Sequence, residues 1–157
     1  MSLPTLFKYL HILTMFAAVA VALGPHIIMR RVSRSGNVAA IKTYFGAAKS
    51  IGPKVPMLFG LGTLLGILAA ATGSLNLLQP WLLIAYFIVI VLTVIGLRLV
   101  APWSMRVGKA AAMNQGDAPS AELQAAVADT AIDKAFWIDV IGIVLVLIDM
   151  VFKPFGL

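Results

Sequence analysis

The chain alternates long apolar runs with shorter polar ones. The first run, residues 3–29, reads LPTLFKYLHILTMFAAVAVALGPHIIM and is closed by Arg30 and Arg31. A run of this length without a turn signal can cross a hydrocarbon core of about 30 Å, because a helix rises about 1.5 Å per residue. It predicts a membrane-spanning helix over 4–29. Three further runs predict spans over 55–75, 81–100 and 135–153, the last reading AFWIDVIGIVLVLIDMVF over most of its length. The expected fold is therefore all-α: an integral membrane four-helix bundle forming a single transmembrane domain over 1–157.

The polar segments set the expected orientation. Residues 30–54 carry Arg30, Arg31, Arg34, Lys42, Lys49 and Lys54 with no acid, and such segments are retained on the cytoplasmic side. Within this loop Val38, Ile41, Tyr44, Phe45 and Ala48 recur at helical spacing. They predict a short amphipathic helix that either lies at the interface or extends the second span inward. Residues 101–134 form a second cytoplasmic loop, in which Arg106 and Lys109 are mixed with Asp117, Glu122, Asp129 and Asp133. The uncharged turn at 76–80 then lies outside, and the chain is N-out and C-out. Trp81 and Trp103 bracket the third span, where headgroup-level rings are expected. Ala20-Val21-Ala22 has the form of a signal-peptide cleavage site, but the arginines follow the apolar stretch instead of preceding it, so the first helix is expected to be retained.

Composition agrees with this reading. Apolar residues make up 61% of the chain and charged residues 11%, against roughly 45–50% and 25% in soluble domains. With a mean hydropathy of +1.01, a soluble globule is excluded. A net charge of +6 is the topological signature of cytoplasmic loops, and no nucleic-acid partner is expected. There is no cysteine, which removes disulfides, thiolate metal sites and cysteine nucleophiles. Gly62-Thr63-Leu64-Leu65-Gly66 has the GxxxG spacing that lets membrane helices approach closely.

Ionisable groups inside spans are costly and serve as functional candidates. Both histidines, His11 and His26, lie on the first helix, Asp139 and Asp149 on the fourth, and Arg98 near the end of the third. Depth along the helices predicts an outer cluster of His11, Asp149, Lys8 and Lys153 and an inner cluster of His26, Asp139, Arg98 and Arg30. His11 suits an axial haem ligand, since a neutral imidazole on a rigid helix is what haem iron takes. The alternative is a structural partner for Asp149. His26, behind Gly24-Pro25, is either a second ligand or proton carrier or a headgroup-level residue. Asp139 and Asp149 could relay protons, but about 15 Å of helix separates them, with only Thr14, Thr63, Thr72, Thr93 and Tyr86 to bridge it. Met15, Met57 and Met150 read as core filler.

Lys8-Tyr9-Leu10-His11-Ile12 and the terminal Val151-Phe152-Lys153-Pro154-Phe155 resemble the two ends of HemJ-type four-helix membrane proteins and the related CopD-like and DUF2269-like groups. Pro56-Met57-Leu58 and the following glycines are similar to the same group. HemJ-type proteins bind haem b and oxidise protoporphyrinogen, which implies haem ligation by His11, with Lys8 beside it. Residues 81–96 lack the lysine and histidine of the third HemJ-type helix, and Trp137-Ile138-Asp139-Val140 stands where that family has N-E-x-P. The resemblance therefore leans to the DUF2269-like branch, which implies the fold and no particular chemistry. Two functions are carried forward. One is a haem-b protein of the bacterial inner membrane, with Lys8 and Lys153 for the propionates. The other is a non-enzymatic accessory subunit of a membrane complex, whose polar clusters fix helix register; a homo-oligomer is the simplest such assembly.

The basic loop fixes a measurable orientation. Cysteine introduced at Ser35 should be labelled only from the cytoplasmic side and cysteine at Asn76 only from outside; the opposite labelling would invert the topology.

Overall fold

The computed structural model describes residues 2–154, and Phe155 of the terminal K-P-F lies outside them. The described residues form helices and no strand: α1 (Leu3–Ser33), α2 (Val38–Ile51), α3 (Lys54–Thr72), α4 (Pro80–Ile95), α5 (Ala101–Met113), α6 (Ala121–Val127) and α7 (Ala131–Phe152). A π-turn, Gly96–Val100, joins α4 to α5. Four stretches are long and apolar enough to cross a membrane: Leu3–Ser33, Val38–Thr72, Pro80–Met113 and Ala121–Phe152. Their outward side chains are large and apolar, with Phe16 75%, Phe87 69% and Val151 73% exposed, a surface that lipid tolerates and water does not.

The spans pack as two antiparallel pairs, α1 with α3 and α4 with α7. No hydrophobic effect drives helices together in lipid, so close backbone approach has to come from small residues. In the first pair the glycines lie on α3. A Cβ at Gly62 would overlap the Met15 sulfur, and one at Gly66 would sit 2.8 Å from His11 Nδ1. In the second pair Gly142 of α7 receives Leu92 of α4, whose Cδ2 is 2.7 Å from where a Cβ would stand. Pro4 beside Gly73 and Lys153 beside Trp81 place the start of α1, the end of α7 and the α3–α4 loop at one end of the molecule, the terminal end.

The opposite, basic end holds the densest packing. Met29, Val38, Ile41, Phe45, Trp103, Val107, Ala110, Ala111, Leu123 and Ile132 form one buried core there. The apolar face of α2 is thus covered by α5 and not by lipid, and α2 extends α3 instead of lying flat at an interface. Trp103, expected at headgroup level, is 1% exposed, and its indole N–H donates to the Ala126 carbonyl at 3.1 Å. The π-turn has a local cause. Pro102 has no N–H for the Arg98 carbonyl, and Ala101 N–H reaches back to Gly96 O, which widens the helix by one residue. Trp81 keeps its place at the start of α4 but is buried, donating to Gln79 Oε1 at 2.6 Å.

The loop before α6 is tied by Asn114. Its Nδ2 donates to the Gly116 and Ala118 carbonyls and its Oδ1 accepts from Ser120 N, while Lys42 Nζ donates to the Asn114 carbonyl at 2.6 Å. These bonds hold the basic-end helices together outside the spans.

Trp103→Ala should cost about 3–5 kcal/mol, since it opens a cavity and strips a buried carbonyl of its donor. Trp137, 57% exposed on the lipid side, should tolerate alanine at under about 1 kcal/mol. Denaturant unfolding in detergent ranks the two.

Candidate functional site

On α1, Pro4, His11 and Met15 are seven and four residues apart and so share one face. That face meets Gly73, Gly66 and Gly62 of α3 in the same order, so the small stripe on one helix receives the larger stripe of the other. The imidazole of His11 lies over Gly66, and its Nδ1 is 2.7 Å from the Gly62 carbonyl oxygen. A carbonyl can only accept, so the bond requires the proton on Nδ1 and leaves the Nε2 lone pair unused in the neutral ring. Metal-ligating histidines are commonly oriented in this way, with one ring nitrogen donating to a backbone carbonyl and the other facing the metal. Lys8 is exposed one turn closer to the terminal end.

The other residues expected beside His11 lie on the second helix pair. Asp149 is 4% exposed, and neither carboxylate oxygen has a hydrogen-bond partner among the described residues. The Gly142–Leu92 and Lys153–Trp81 contacts place it by register opposite the buried Ala85 of α4. Lys153 does not pair with it through its ammonium group, which lies 5.4 Å from the centre of the Trp81 ring. Its backbone N–H instead donates to the Asp149 carbonyl at 2.8 Å, closing α7 with Lys153 in the left-handed conformation at φ 44°. The expected outer cluster is therefore divided: His11 and Lys8 belong to the α1–α3 pair, Asp149 and Lys153 to the α4–α7 pair.

The inner cluster forms, with one member exchanged. His26 is 3% exposed, its Nδ1 is 3.7 Å from Asp139 Oδ2, and its Nε2 is buried without a partner. The ring meets Phe136 edge-on, with centroids 5.2 Å apart. Arg30 places its guanidinium 4.3 Å from the Phe136 centroid and pairs with Asp133 Oδ1 at 2.8 Å, and Arg34 joins the same carboxylate. Arg98 takes no part; it stands exposed on the π-turn, outside every ion pair among the described residues. Asp133, read from sequence only as a loop acid, takes the place expected for Arg98. A signal for it was present, since His26, Arg30 and Arg34 step by four along α1 while Asp133, Phe136 and Asp139 step by three along α7.

Two of the hydroxyls expected to bridge the aspartates serve their own helices. Thr72 donates to Leu68 O and Thr93 to Val89 O. Tyr44 Oη donates across to the Pro25 carbonyl at 2.9 Å, tying α2 to the proline turn that precedes His26. Met15 packs against Gly62, as core filler does, whereas Met57 is 71% exposed and fills no core. Among the described residues no three His, Asp or Glu side chains gather as a metal site. No family model, curated protein or solved structure matches the chain.

The glycine seat of His11 separates two substitutions on one helix. Gly60→Ala meets nothing within 4 Å and should be neutral or gain up to about 1 kcal/mol from helix propensity. Gly66→Ala drives a methyl into the imidazole and should cost about 1–3 kcal/mol. Unfolding in detergent measures both, and equal effects would show that the ring does not fill that seat.

Proposed function

We propose that this protein is an integral membrane haem-b binder of the bacterial inner membrane, N-out and C-out, with His11 as an axial iron ligand through Nε2. The observation that supports this most is the 2.7 Å contact of His11 Nδ1 with the Gly62 carbonyl. It orients the ring from the side away from the iron, so ligation would cost little reordering of the side chain. The ring is half-buried, which leaves a way to Nε2 beside lipid-facing side chains. When bound, the group supplies redox or ligand-binding chemistry at its iron. The chain's own residues would hold it: His11 would bind the iron, and Lys8, one turn nearer the terminal end, would offer an ammonium group to a propionate. Lys153 is the weaker fit, because its ammonium group already rests on Trp81 of the other helix pair.

A second reading, a non-enzymatic accessory subunit, is favoured by one feature. Phe87, Ile90, Val94 and Leu97 form an exposed stripe at three- and four-residue steps along α4 and the π-turn, a face on which another span, or a second copy of this chain, could dock.

Protein purified from cells supplied with a haem precursor should show a b-type absorption spectrum. His11→Ala should abolish it, whereas Lys8→Ala should weaken retention by about fivefold, since a surface cation contributes ~1 kcal/mol. A colourless protein that also fails to take up added haemin would end the haem reading and leave the accessory one.

A further inference from the structure

The His26–Asp139 pair lies away from the His11 seat and is not used by the haem reading. It sits where α1 meets α7, and the polar and aromatic contacts between these helices cluster there: His26 with Asp139 and Phe136, and Arg30 and Arg34 with Asp133. Toward the terminal end the same helices present Phe16, Leu147 and Val151 outward. The junction between the two helix pairs thus includes a titratable pair set in an apolar seam.

The charges around that pair are already committed. From α1, Arg30 is spent on Asp133 and on the Phe136 face; Arg34 is spent on Asp133 and is otherwise 59% exposed. From α2, Tyr44 donates to the Pro25 carbonyl. From α5, the Ser104 hydroxyl lies against the Met29 sulfur at 3.6 Å. Lys54 at the start of α3 and Arg98 on the π-turn are exposed at the same end. His26 is therefore the one basic side chain within ion-pair reach of Asp139 among the described residues.

With a neutral imidazole and an ionised carboxylate the pair carries one negative charge that no cation contacts, the surplus positive charge of Arg30 and Arg34 resting on Asp133. Adding one proton removes it, either as imidazolium against carboxylate or as imidazole against carboxylic acid. An apolar site favours the form with no net charge. The geometry supplies positions for that proton: the 3.7 Å gap between Nδ1 and Oδ2, which a shared proton can draw closed, and the buried, unpartnered Nε2. Asp139 keeps 18% of its side chain exposed, which gives access at the edge of the seam.

We propose that His26 and Asp139 together form a binding site for a single proton, reached from the basic end past Asp133, and that this proton holds α1 against α7. Losing it leaves a bare carboxylate in the seam, which water must enter to solvate, so α1 and α7 part from that junction. The titration belongs to the pair and not to either residue.

The test uses the full chain in lipid bilayers, labelled with carbon-13 at aspartate carboxyls and nitrogen-15 at histidine rings, across a pH series. The Asp139 and His26 resonances should move together at one midpoint. His26→Gln should shift the Asp139 midpoint by about one pH unit, a tenfold change in proton affinity. Spin labels at Phe16→Cys and Leu147→Cys should separate as the proton leaves, and Asp139→Asn, which mimics the neutral carboxyl, should abolish that pH dependence. Independent midpoints for the two residues, or no titration at all, would overturn the shared site. A shared titration with unchanged label distances would overturn the holding role. The wild-type resonances decide the shared site, and the chain labelled at 16 and 147 decides the holding role, even where His26→Gln or Asp139→Asn fails to fold.

Discussion

The close approach of α1 to α3 is the constraint on which the rest of this molecule depends. In lipid, neither helix gains by hiding apolar side chains from water, so contact has to come from backbones near enough for dispersion and for polar bonds between helices. Gly62 and Gly66 allow that approach, and the space they leave is occupied by the Met15 thioether and the His11 ring. One consequence is mechanical, a tightly packed helix pair. The other is chemical, because at that separation an imidazole on one helix can reach a carbonyl that the other helix already uses in its own ladder.

The two helix pairs are joined mostly at the basic end. The core around Phe45 and Trp103 gathers α2, α5, α6 and the basic ends of α1 and α7. At the same end the junction between the pairs is held by charge: Arg30 and Arg34 on Asp133, and His26 beside Asp139. Stability in this chain is therefore uneven. A buried core anchors one end, while the terminal ends of the spans expose large apolar side chains such as Phe16 and Val151.

That division explains what was legible in the sequence. The spans and the all-helical fold follow from run length and hydropathy, which act residue by residue and need no knowledge of neighbours. Depth along a helix was legible too, since His26 and Asp139 do meet as their levels require. Neighbour order was not. His11 and Asp149 lie at similar depth, but depth does not say which helix stands beside which, and the glycine stripe on α3 gives His11 a nearer partner than α7. Arg98 failed as a cluster member for a separate reason: Pro102 opens a π-turn there and leaves the side chain exposed. Trp103 was misplaced because its burial comes from Phe45 of α2 and the Ala126 carbonyl of α6, neighbours that hydropathy along one helix does not record.

The His11 seat also shows where a polar specification can be written without a polar residue. A histidine ligand commonly has its second nitrogen fixed by a carboxylate, a backbone carbonyl or a water. Here a backbone carbonyl takes that role, and every residue has one. What singles out Gly62 is access: a side chain at 62 or 66 would hold the ring away from the carbonyl. The tautomer of His11 is thus set by the absence of two side chains, and a scan for charged partners would pass over it. Asp149 gives the contrast. Its carboxylate is buried beside α4 with neither oxygen bonded, so no donor orients it as the Gly62 carbonyl orients the imidazole. Of the two ionisable groups at that depth, only His11 has a fixed direction, and a fixed direction is what a ligand atom needs.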